Sequence, residues 1–168
     1  MIHHLIGSAL EPISKPASIL HIVNDMGKWK SGFVIAISKK YSQPEEYYKR
    51  WFSEQNNLGL LLPLGEIQRV KVDAALTYIV NMVAQHNTKI IASVPPIRYQ
   101  ALRRCLRLAN FLACSDGHTI HMPRIGAVRS GGDWTKIEQI IKEEALVDNY
   151  IYTLPEEKDM WDCTYENE

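Results

Sequence analysis

Two stretches of this chain share one layout, an apolar run, a small-residue loop and then a helical pattern. The first is Ser18-Ile-Leu-His-Ile-Val-Asn24-Asp-Met-Gly27-Lys-Trp-Lys-Ser-Gly32-Phe33, and the second is Thr119-Ile-His-Met-Pro-Arg-Ile-Gly126-Ala-Val-Arg-Ser-Gly131-Gly132-Asp133-Trp134. A glycine- and serine-bearing loop that feeds a helix start presents backbone N–H groups and the positive end of a dipole, which suits phosphate. Two such loops in one small domain suit a ligand with two linked phosphates. Asn24 and Asp25 stand where the first apolar run meets its loop. Short polar side chains there orient a hydroxyl or a water, or simply form a turn. His86 follows Gln85 at the end of another apolar run and supplies either a proton-transfer group or a loop residue. His21 and His121 lie inside apolar runs and read as core histidines.

These residues need strands and helices to hold them. Ile2 to Ile6 reads as a short strand ending at Gly7-Ser8, and Ile19 to Val23 as a strand buried on both faces. Gly32 to Tyr41 has the spacing of a helix. A second helix is expected from Ser42-Gln-Pro-Glu45, which has the form of a capping box. Leu60 to Leu62, Ile67 to Val72 and Leu76 to Ala84 read as strands. Pro95-Pro96 precedes a helix from Arg98 to about Ala113, whose Arg103, Arg104 and Arg107 fall outside the apolar stripe and read as its solvated face. A strand at Thr119 to Met122 follows, then a helix capped by Asp133 and running through Ala145 with Trp134, Ile137, Ile140 and Ile141 inward. A last strand covers Tyr150 to Leu154. Strand–helix alternation predicts an α/β fold with three layers, α/β/α, around a mixed, largely parallel sheet. Ligands of such sheets bind beyond the carboxyl ends of the strands, where both loops lie. One domain is expected over residues 1–154, followed by an acidic tail over 155–168.

The 168 residues and 46% apolar content suit one globular domain with a real core. The formal net charge is zero, which argues against a chain-wide basic field for nucleic acid. The three cysteines, Cys105, Cys114 and Cys163, have no metal-ligand spacing. The first residues lack a signal-peptide pattern, and no apolar run reaches the roughly 20 residues that span a bilayer. A cytoplasmic monomer without membrane contact, metal or cofactor is expected.

The loops and two further motifs resemble a macro domain over about Gly7 to Leu154. The likeness is strongest to a bacterial and phage group carrying His21 to Phe33, Gln85-His86, Pro95-Pro-Ile-Arg-Tyr99 and His121 to Gly126 in this order. The pattern is also similar to the macro domain of a poly-ADP-ribose-activated chromatin remodeller and to a yeast ADP-ribose-1''-phosphate phosphatase. The resemblance implies ADP-ribose as ligand. Asn24, Gly27, Trp29, Ser31, Gly32 and Phe33 would wrap the distal ribose and one phosphate. Ile125, Gly126, Ala127, Val128, Arg129, Ser130 and Gly131 would hold the diphosphate from the other side, and the adenine would lie near Gly7 and Ser8. Trp29 is either a lid over the ribose or packed back on the core. Three departures stand out: Ser8 where many members have Asp, Lys30-Ser31 where glycine is common, and Ala127-Val128-Arg129-Ser130 in place of a more glycine-rich run. The lysine and aspartate that one relative uses to cleave ADP-ribose from glutamate are missing, the corresponding stretches reading Val83-Ala-Gln85-His86 and Arg129-Ser130.

The expected function is binding of ADP-ribose, or of an ADP-ribosylated partner, with hydrolysis of a derivative, either ADP-ribose-1''-phosphate or an ADP-ribosyl adduct. Asn24, Asp25 and His86 are the candidates to orient or activate the attacking water. The alternative is a non-catalytic reader of ADP-ribose, and an RNA binder is disfavoured by the neutral charge.

Overall fold

A computed structural model describes residues 1–127 and 130–157. Six strands, β1 (Ile2–Ile6), β2 (Ala17–Asn24), β3 (Ile67–Lys71), β4 (Thr77–Gln85), β5 (Thr119–Pro123) and β6 (Asn149–Thr153), form one sheet in the order β1-β6-β5-β2-β4-β3. Every neighbouring pair is parallel except the edge strand β3, which runs antiparallel to β4. The central β2 is buried on both faces, so its residues read as an unbroken apolar run rather than an alternation.

Four helices cover the sheet: α1 (Phe33–Lys40), α2 (Gln43–Asn57), α3 (Tyr99–Asp116) and α4 (Trp134–Glu144). Leu20, Val80, Met82, Ile120 and Ile151 pack against Leu102, Leu106, Ile137 and Ile141 of α3 and α4 on one face. Ile19, Val23, Ile79 and Val83 pack against Ile37 and Tyr48 of α1 and α2 on the other. The three-layer α/β/α arrangement is the one the alternation predicts. No helix among the described residues is long and apolar enough to cross a membrane.

Three local expectations are corrected. Leu60 to Leu62 is not a strand: Gly59 and Gly65 take positive φ on either side of it, and only Leu62 is buried. There the Leu62 N–H donates to Asp25 O, so the segment buttresses the end of β2 instead of joining the sheet. Ser42 precedes α2 with no side-chain cap, because it is already helical at φ −82° and ψ −29°. Glu45 turns elsewhere, accepting from Ser38 Oγ at 2.8 Å and pairing with Lys49. The α3 arginines are not merely solvated. Arg103 and Arg107 both reach Glu144 at 2.9 Å and tie α3 to α4, and the Arg107 hydrogen bond holds the Glu144 carboxyl below its usual range.

The described part of the chain ends in a turn of 3₁₀ helix at Pro155–Glu157, and the remainder of the expected acidic tail lies outside the described residues.

Candidate functional site

The carboxyl ends of β5, β2 and β4 are neighbours, so the segments leaving them share one rim of the sheet. The register between β2 and β4 breaks here. Val23 pairs with Val83 but Asn24 pairs with Gln85, leaving Ala84 as an extra residue on β4. Bulges of this kind re-aim side chains and recur beside functional sites.

Two of the three proton-handling candidates meet at this break. His86 Nδ1 lies 2.6 Å from Asp25 Oδ2. A carboxylate accepts, so Nδ1 is the donor, and in the neutral ring Nε2 then keeps its lone pair. Asp25 is shut in, with its side chain 2% exposed, whereas that of His86 is 43% exposed. The second Asp25 oxygen accepts from the Asn87 N–H at 3.1 Å. A buried carboxylate held on one side by a backbone N–H and on the other by a half-open imidazole fixes that ring's tautomer and orientation.

Asn24, the third candidate, is used differently. Its Oδ1 accepts from the Met26 N–H, the Lys28 N–H and the Tyr48 hydroxyl, and its Nδ2 donates to Lys28 O at 2.7 Å. Its carbonyl oxygen and one of its two amide N–H donors are thus engaged in holding the first loop and its contact with α2. Burial pushes the Tyr48 phenol well above its usual range, so it stays a donor, and it also reaches Asn24 O at 2.7 Å.

Trp29 anchors that loop. Its ring is 5% exposed, meets the His21 ring edge-on at 5.4 Å, and donates through Nε1 to Ser38 Oγ at 2.8 Å. Of the two readings left open for Trp29, the structure displays the packed one. Gly27 has φ +70°, and a Cβ there would come well inside van der Waals contact of Phe52 Cδ1, so both backbone and space favour glycine. The loop residues facing water are Lys28, Lys30 and Ser31.

The two helix starts differ. α1 is preceded by Gly32 at φ 81° and ψ −145°, a region open essentially to glycine alone, with no side-chain cap and no acid in the first turn. Phe33 opens the helix, half-buried with its ring 6.1 Å from His21. The start of α4 is closed by its own residue, since Asp133 accepts from the Lys136 N–H. The first-turn N–H groups of α1 are thus left without a side-chain acceptor, whereas those of α4 face the Asp133 carboxylate.

In the second loop Ile125 is buried in the α3–α4 core, Ala127 packs at its margin, and Gly126 O accepts from the Gly132 N–H. Ser130 is 5% exposed and donates through Oγ to Gln85 Oε1 at 2.8 Å, while Gly131 lies at the surface. Val128 and Arg129 lie outside the described residues. At the far end of the rim, Gly7 donates to Thr153 O, and Ser8 Oγ accepts from the Leu10 N–H, forming a local turn. Gly7 and Ser8 follow β1, three strands from β2, or roughly 14 Å along the rim at the usual strand spacing.

Both core histidines sit deep in the sheet layer. His121 is hydrogen-bonded through both nitrogens, to Tyr152 Oη at 3.0 Å and Thr119 Oγ1 at 2.9 Å. His21 Nε2 meets Asn81 Oδ1 at 2.5 Å, while its Nδ1 is buried with no partner among the described residues. Burial lowers both pKa values to about 4. No cluster of three or more His, Cys, Asp or Glu among the described residues is placed to hold a metal.

Sequence reading missed Gln85 and Tyr48 as site residues. Their sequence signals are an amide beside a candidate histidine and an aromatic on the inner stripe of α2.

No family model matches the chain. Among solved structures, a protein of unknown function from Bacteroides thetaiotaomicron is 39% identical, with a TM-score of 0.84, over 90% of this chain and 97% of that one. A macrodomain protein from Streptomyces coelicolor is 30% identical, with a TM-score of 0.77, over 91% of this chain and 99% of that one. Among curated proteins, mouse chromodomain-helicase-DNA-binding protein 1-like is 27% identical over 94% of this chain. The chain spans 18% of that relative's length, and 15% of its zebrafish (Danio rerio) counterpart's.

Proposed function

The chain belongs to the macrodomain family, and from that membership we propose that it binds ADP-ribose along the rim and hydrolyses a derivative at the distal ribose. A DarTG protein of Thermosipho africanus, 15% identical and of the same fold, has been solved in complex with ADP-ribose. Here the diphosphate lies at the open start of α1 with Gly126, Ala127, Ser130 and Gly131 on its other side. The adenine lies toward Gly7 and Ser8, and the distal ribose toward Asp25 and His86. The distance from β1 to β2 suits a ligand with groups on both sides of a diphosphate.

The observation that carries the catalytic reading is the 2.6 Å contact between buried Asp25 and half-exposed His86. Asp25 holds the ring so that Nε2 takes a proton from water. The water oxygen bonds to C1'' or to the phosphorus attached there, the bond to the leaving group breaks, and the proton returns to the leaving oxygen. Lys28 and Lys30 are exposed, carry no ion pair among the described residues, and add positive charge beside α1. That charge favours ADP-ribose-1''-phosphate over a neutral adduct as the first derivative to test.

A reader without catalysis is the second reading, supported by the way the Asn24 side chain is turned to holding its own loop. Calorimetry with ADP-ribose and AMP tests the binding claim. ADP-ribose is expected to bind far more tightly, and equal affinity would contradict a ligand that spans the rim.

A further inference from the structure

We propose that Gln85 is a positioning residue that makes the placement of His86 depend on Ser130 of the second loop, an inference that rests on the Asp25–His86 reading above. Gln85 ends β4 immediately after the extra residue Ala84, and both ends of its side-chain amide are engaged. Oε1 accepts from Ser130 Oγ at 2.8 Å, and Nε2 donates to Asn87 O at 2.9 Å. A backbone carbonyl only accepts, so chemistry fixes which end of the amide faces which partner.

Asn87 is the residue through which this grip reaches His86. It sits at φ 66°, a left-handed conformation that asparagine tolerates better than most residues. Its N–H donates to Asp25 Oδ1, and its carbonyl accepts from Gln85. The turn after His86 is thus held by the carboxylate that holds the imidazole and by the amide that holds Ser130. The Gln85 backbone carbonyl accepts from the Asp25 N–H at 3.0 Å, and the Ser130 carbonyl accepts from the Ile97 N–H at 3.3 Å. The His86 backbone N–H in turn donates to Pro96 O, which ties the Ile97 side of this network to the same residue's main chain. No hydrogen bond joins Ser130 to His86 directly among the described residues, so an effect of one on the other has to pass through Gln85 and these backbone contacts. Shared networks of this kind show non-additive couplings that distant, independent sites do not.

The test is nitrogen-edited NMR of the His86 ring in the full chain without ligand, for Ser130→Ala, Gln85→Met and the double variant. Ser130→Ala, which removes one hydroxyl, is expected to shift the His86 ring signals, and that shift is expected to be lost when Gln85→Met is already present. Gln85→Glu provides a second probe should the methionine variant not fold. Its carboxylate still accepts from Ser130 but opposes the Asn87 carbonyl, so it is expected to move the His86 signals with Ser130 intact. Ring signals unmoved by Ser130→Ala, or moved equally with and without Gln85, would overturn the proposal. A merely structural role would broaden or shift signals across the sheet rather than at His86. Adding ADP-ribose separates the two claims: a wild-type protein that shows the coupling but does not bind ADP-ribose refutes the proposed ligand and leaves the coupling standing.

Discussion

Asp25, His86 and Asn24 look alike in sequence, three polar residues at strand ends, and the fold gives them different work. Asp25→Asn keeps the side chain's size but replaces the carboxylate that accepts from His86 Nδ1 with an amide that no longer fixes the ring in one orientation. Turnover of an ADP-ribose derivative is expected to fall about 10²-fold or more, the scale of a positioned acid–base pair. ADP-ribose affinity by calorimetry is expected to change much less, because Asp25 is buried beneath the rim. Asn24→Ala is expected to act on the fold instead. It deletes three hydrogen bonds that close the first loop, each worth about 1 kcal/mol net, while Tyr48 keeps its bond to the Asn24 backbone carbonyl; a lowered urea midpoint together with weakened ADP-ribose binding is the expected result. That Asn24 and Asp25 mark a strand end was legible from the apolar run before them. That Asp25 finds a partner 61 residues away was not, because no local pattern encodes a contact made by two strands pairing. Trp29 was ambiguous for a related reason: its anchor, Ser38, belongs to α1, and its aromatic neighbours come from β2 and α2.

At the scale of elements, the two loops looked equivalent as sequence because each combines glycine, serine and a helix start. Their helices show otherwise, since α1 begins uncapped after Gly32 while α4 begins under Asp133. Asp133 was correctly readable as a cap, and a capped start is a poor anion site. Placing a carboxylate at α1 through Ser31→Glu, a surface position that leaves the Gly32 backbone alone, is expected to weaken ADP-ribose binding by about tenfold or more while the melting temperature holds. Unchanged affinity in that variant would move the diphosphate away from α1. The S-x-x-E pattern at Ser42 failed as a cap because Glu45 is drawn to Ser38 and Lys49, neither of which a four-residue motif can anticipate. Leu60 to Leu62 failed as a strand because flanking glycines turn the chain there and a single buried leucine suffices to anchor it.

For the whole molecule, strand–helix alternation made the layered fold legible, while the strand order depends on crossovers that periodicity does not report. Two imidazoles inside the sheet layer give that fold a pH dependence. His21 and His121 titrate at about 4 when folded and near 6.5 when unfolded, so between these values the unfolded chain binds more protons. Their contribution is fully present above pH 6.5 and is lost as pH falls toward 4, by up to about 3 kcal/mol per ring. Urea unfolding is expected to show a midpoint that drops steeply across this window, and a drop that is smaller once His121 is replaced by Asn. A flat profile would mean that the two rings protonate without opening the sheet layer.

The proposed function joins a rim that grips ADP-ribose to a buried Asp25 that positions His86 for catalysis. Phosphorus NMR of ADP-ribose-1''-phosphate, followed over time with the wild-type chain and with Asp25→Asn, tests both halves in one record. The diphosphate signals are expected to shift with either protein, and inorganic phosphate is expected to grow with the wild type and almost not at all with the variant. Unshifted diphosphate signals, or phosphate released equally fast by both proteins, would contradict the account.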